Sequence, residues 1–74
     1  MSLGCLAGPA PGLTQLTGDF IRVEREGIKK YRELIRSSKG YYRELFVVLF
    51  ESMIHDSEKH IKMLEFLRER LEEA

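Results

Sequence analysis

Three ionisable side chains fall where a helix should be driest: Glu24, Asp56 and His60. Two carboxylates and an imidazole are donors of the kind that hold iron, manganese or zinc, because hard oxygen ligands and a neutral ring nitrogen suit those ions. An ionised carboxylate buried without a partner costs several kcal/mol or more. The groups must therefore be compensated, and three arrangements would do it. Asp56 and His60 could form an ion pair in a core, Glu24 could pair across an interface, or all three could coordinate a metal.

The elements that would position them follow from spacing at about 100° per residue. A helical pattern without proline runs from about Thr14 to Arg36, with Thr14 or Thr17 as its N-cap. Phe20, Ile21, Gly27, Ile28, Tyr31 and Ile35 form one stripe, with Glu24 at its middle and Glu26 pointing away. Ser37-Ser38-Lys39-Gly40 interrupts the pattern with poor helix formers and a glycine suited to a helix end. A second helix is predicted over about 41–72. Its long stripe holds Tyr42, Leu45, Phe46, Leu49, Met53, Met63, Leu64, Leu67 and Leu71, with His60 at the centre and Asp56 one turn earlier. Ser57 lies beside Asp56, whereas Glu51, His55 and Glu58 face outward. A connection of about four residues makes the helices antiparallel neighbours.

Two further features complete the pattern. Gly27 costs about 1 kcal/mol in a helix interior relative to alanine, which predicts either a close backbone approach near Glu24 or sequence drift. Charged pairs at i,i+4, namely Arg22–Glu26, Lys29–Glu33 and Glu58–Lys62, are expected to line a solvated face.

Composition narrows the classes. Twelve basic residues balance twelve acidic ones, so no global field exists to hold nucleic acid. No apolar run approaches the roughly 20 residues of a membrane span, and the first residues lack the pattern of a signal peptide. A cytoplasmic protein is the expectation. Residues 1–12, with three glycines and two prolines, are expected to be a flexible leader. Cys5 is the only cysteine, which excludes a disulfide scaffold. A chain of 74 residues encloses little core. Hence the expected fold is all-α: an antiparallel two-helix hairpin, helices about 14–36 and 41–72, that dimerises into a four-helix bundle.

Glu24 followed seven residues later by Tyr31, then Leu49-Phe50-Glu51 through Asp56-Ser57-Glu58-Lys59-His60, resembles half of a ferritin-like protein. The pattern is rubrerythrin-like and is also similar to the encapsulated ferritins, in which each subunit contributes one hairpin. The resemblance spans about residues 18–71. It implies a di-iron carboxylate site between two hairpins, built from a Glu on the first helix and a Glu-x-x-His on the second. Glu24 matches the first carboxylate, His60 the histidine, and Tyr31 the tyrosine on the same face. Ser57 stands where the family has its second Glu, with Asp56 as the neighbour able to substitute.

What the resemblance implies is an oxidoreductase or iron-oxidising protein, homo-oligomeric and at least dimeric, that uses iron, or else manganese or zinc. The competing expectation is a non-catalytic assembly module that keeps the fold without the metal. A second apolar edge on helix 2, formed by Val47, Phe50, Ile54 and Ile61, would then serve larger assemblies or a partner protein.

Overall fold

The computed structural model describes residues 11–73, which form two antiparallel helices, α1 (Pro11–Ser37) and α2 (Arg43–Glu73). Among the described residues there is no strand. Residues 1–10, which include Cys5 and most of the expected leader, lie outside that range. Helix α1 begins earlier than Thr14 because Pro11 suits a first helical position: its fixed φ is pre-organised and its missing N–H would have had no partner there. Neither threonine caps the helix. Thr17 lies inside it and donates from Oγ1 to the Leu13 carbonyl at 2.7 Å, so its buried hydroxyl is satisfied within the helix.

The end of α1 is closed locally. The Ser38 N–H donates to the Ile35 carbonyl at 3.2 Å and its Oγ donates to the Leu34 carbonyl at 2.7 Å. Two of the carbonyls that a helix end leaves unpaired thereby find donors. Gly40 then adopts φ of +93°, a backbone region costly for any residue with a Cβ. It opens a turn in which the Arg43 N–H returns to the Gly40 carbonyl at 3.2 Å. Tyr41 and Tyr42 belong to this turn and stack edge to face, with centroids 5.1 Å apart. Helix α2 consequently starts at Arg43.

The seam between the helices is narrow. Ile21 and Ile28 of α1 meet Ile54 of α2, and these three isoleucines are the buried apolar core. Thr17 and Ser57 extend the seam as its buried polar members. Val47, Phe50, Ile61 and Leu64 flank it, half-buried. The edge expected to serve outside partners, Val47, Phe50, Ile54 and Ile61, is therefore the edge that α2 packs against α1. Of the long stripe, Leu45, Phe46, Leu49, Met53, Met63 and Leu67 are exposed in the single hairpin, while Leu64 and Leu71 are half-buried. Apolar residues occupy well over half of the α2 wheel, so hydrophobicity alone did not select between the two edges.

Helix α1 carries a matching open stripe of Leu16, Phe20, Val23 and Leu34, all exposed, with Gly27 and Tyr31 half-buried among them. Each stripe lies about a quarter-turn from the seam in the same rotational sense along its own chain direction. Antiparallel helices turn that common sense into one shared side of the hairpin. Ring stacking marks this side near the tip, with Tyr31 against Phe50 at 6.2 Å and Phe50 against Phe46 at 6.3 Å. The opposite side is charged. There Arg25 pairs with Glu65 at 3.1 Å and Arg32 with Glu58 at 3.9 Å, tying the helices in register. The expected i,i+4 pairs are absent among the described residues; the ion pairs within a helix are Asp19–Arg22, His55–Glu58 and Arg70–Glu73 at i,i+3.

Candidate functional site

Glu24 and His60 come together across the two helices. Glu24 projects from the border between the seam and the open apolar side, His60 from within the open stripe of α2, and the antiparallel register brings them level. Glu24 Oε1 lies 3.5 Å from His60 Nδ1. At that distance the contact is an ion pair when the imidazole is protonated, and it is longer than a good hydrogen bond. The Glu24 side chain is 28% exposed and that of His60 51%. Nothing else among the described residues engages either group, so Nε2 of His60 has no protein partner in the hairpin.

This pair meets a simple test for a shared ion. With metal–nitrogen and metal–oxygen distances of about 2.0–2.2 Å, two donor atoms on one ion stand about 3.0–3.5 Å apart at ordinary coordination angles. The observed separation lies at the upper edge of that range. Two donors do not fill a coordination shell, however, and among the described residues no three His, Cys, Asp or Glu side chains converge within one chain.

Asp56 does not complete the group. It is exposed, one turn before His60, with no ion-pair partner within 4.0 Å among the described residues. Ser57 occupies the more interior position, 9% exposed in the seam, one turn before His60. The side chain standing at the family's Glu position is thus a small hydroxyl held in the hairpin contact. Glu58 is set on the charged side by its contacts with Arg32 and His55. Glu26 is exposed.

The expected close backbone approach at Gly27 is not made within the hairpin. A Cβ built there would meet only the ring of Tyr31, its own neighbour one turn on, at 4.0 Å. Shallow surface grooves lie on both sides of the hairpin, one of them near the tip on the open apolar side, lined by Leu34, Ser37, Ser38, Lys39, Phe46 and Phe50. On the charged side a groove of about 360 Å³ is lined by Arg25, Ile28, Lys29, Arg32, Arg36, Glu58 and Ile61. Sequence reasoning missed this concentration of cations. The signal was there in the seven-residue spacing of Arg25 with Arg32 and of Lys29 with Arg36, but it was hidden by the balanced net charge.

No protein-family model, curated protein or solved structure matches the chain. No described helix is long and apolar enough to cross a membrane.

Proposed function

We propose that this chain is a ferritin-like metal-binding protein whose site is completed when two hairpins pair through their open apolar sides, forming a four-helix bundle. The observation that carries the reading is the Glu24–His60 contact, 3.5 Å across the helices and bordered by apolar surface on the side that a second copy would cover. Pairing would withdraw Phe20, Leu49, Met53 and Leu67 from water, the main driving force for such association. It would also place two Glu24–His60 pairs in one interior, with each Asp56 at its margin.

That donor set suits iron first, and manganese or zinc next. Each Glu24 would offset the charge of the ion, and each His60 would bind through one ring nitrogen while the other faces an acceptor. Bound iron would supply reactivity toward oxygen or peroxide, the basis for an oxidoreductase or iron-oxidising role. Metal analysis of protein purified without chelator tests the reading. Stoichiometric transition metal is expected, lost in Glu24→Ala and kept in Glu26→Ala. A well-folded dimer that takes up no iron, manganese or zinc would remove it.

A non-catalytic assembly module is the second reading, favoured by one observation: Ser57, a residue unable to bridge two ions, occupies the buried position one turn before His60. In that case Glu24 and His60 would serve as a polar pairing that fixes how two copies align, and metal content would be nil.

A further inference from the structure

Near the tip, the charged side of the hairpin divides its charges by helix. In α1 the outward rows are cationic, with Arg25 and Arg32 nearest the seam and Lys29 and Arg36 further out. The corresponding side of α2 carries Glu44, Glu51, Glu58 and Glu65, spaced every seven residues, with Lys62 as a cation among them between Glu58 and Glu65, away from the tip. The inner members neutralise one another within the hairpin, as Arg25–Glu65 and Arg32–Glu58. The outer members in the half nearest the tip do not. Lys29 and Arg36 have no acid, and Glu44 and Glu51 no base, within 4.0 Å among the described residues.

These four residues form two commensurate rows. Lys29 to Arg36 and Glu44 to Glu51 are each seven residues, about 10.5 Å along a helix. One row is positive, the other negative, and they lie on neighbouring helices. Such a surface is complementary to itself under a two-fold rotation, which sets the cationic row of one copy over the anionic row of the other and the reverse. We infer that the charged side is a second contact surface between copies of this chain, formed by Lys29 and Arg36 against Glu44 and Glu51 of a second copy. It is independent of the metal and lies on the side away from the apolar contact. Exposed ion pairs contribute about 0–1 kcal/mol each, so the contact is weak and salt-sensitive.

Sedimentation velocity of the full chain at about 20 mM and about 500 mM salt tests this, since charges further apart than the Debye length are screened at the higher value. A species of twice the high-salt mass is expected at low salt. Lys29→Glu/Arg36→Glu should abolish it, as should Glu44→Lys/Glu51→Lys, and an equimolar mixture of the two variants should restore it. Lys30→Glu/Lys59→Glu makes the same change in net charge elsewhere and should leave it intact. Equal masses at both salts would overturn the inference. So would survival of the low-salt species in Lys29→Glu/Arg36→Glu, failure of the mixture to associate, or equal loss in the Lys30/Lys59 variant. The mass at high salt reports separately on apolar pairing, so the two contacts can fail independently.

Discussion

Replacing Gly27 with alanine separates what the hairpin needs from what a second copy would need. Within one chain the substitution is free of conflict: the added methyl meets only the Tyr31 ring at 4.0 Å, an ordinary contact. It also removes the helix penalty of glycine, about 1 kcal/mol. Folding of an isolated hairpin should therefore improve by about that amount. Association should respond in the opposite direction. Gly27 lies on the open side between Val23 and Tyr31, beside Glu24, so a partner helix seated there would approach bare backbone. A methyl forced into such a contact costs about 1–3 kcal/mol, and a two-fold dimer receives it twice. Since each 1.4 kcal/mol is tenfold in affinity, a total of about 2 kcal/mol or more should raise the dimer dissociation constant at least about 30-fold. The helix gain does not offset this, because it is present in the folded monomer and cancels on association. Gly18→Ala is the control: its methyl meets only the end of Arg68 at 3.4 Å, a tip that can swing aside. Sedimentation equilibrium gives the constants, and circular dichroism verifies that helix content is retained. If Gly27→Ala associates as tightly as the wild type and melts higher, no partner backbone covers that position and the argument fails.

Other outcomes follow from the same arrangement. Ile54→Ala should cost about 2–5 kcal/mol of folding stability in urea titration, since Ile54 is 8% exposed in the seam. Its neighbour Met53, 44% exposed on the open side, should on truncation to alanine leave a monomeric hairpin unaffected and lower the association constant instead. Ser57→Glu restores the Glu-x-x-His spacing but places a carboxylate in a buried position of the seam. The metal-free variant should melt below wild type, and added Fe(II) should raise its melting temperature in proportion to affinity. Asp56→Asn should lower metal affinity without changing the melting temperature of the metal-free protein, because exposed Asp56 supports no contact in the hairpin. Gly40→Ala should lose about 1 kcal/mol or more in thermal melts, given its φ of +93°.

Much of this protein follows from local chemistry that a sequence displays. The break at Ser37–Gly40 is written in residue types that favour turns, so two helices and their antiparallel course are legible. The phase of α1 is legible as well: Ile21, Ile28 and Ile35 recur every seven residues, with Glu24 beside them on the wheel. That left Glu24 turned toward α2 and Glu26 toward solvent, as observed. Helix α2 is different. Val47, Phe50, Ile54 and Ile61 on one edge and Leu49, Met53, Met63 and Leu67 on another are equally apolar, and periodicity cannot rank them. Three-dimensional fit does: Ile54 and the small Ser57 allow close packing against Ile21 and Ile28, while Arg25–Glu65 and Arg32–Glu58 tie the far side. That rotation of α2, with the register set by the turn at Gly40, carries His60 to within 3.5 Å of Glu24 and leaves Asp56 in solvent. A helix wheel gives each residue's direction about its own axis. The meeting of Glu24 and His60 depends on the rotation and sliding of one axis against the other, which only the packed structure fixes.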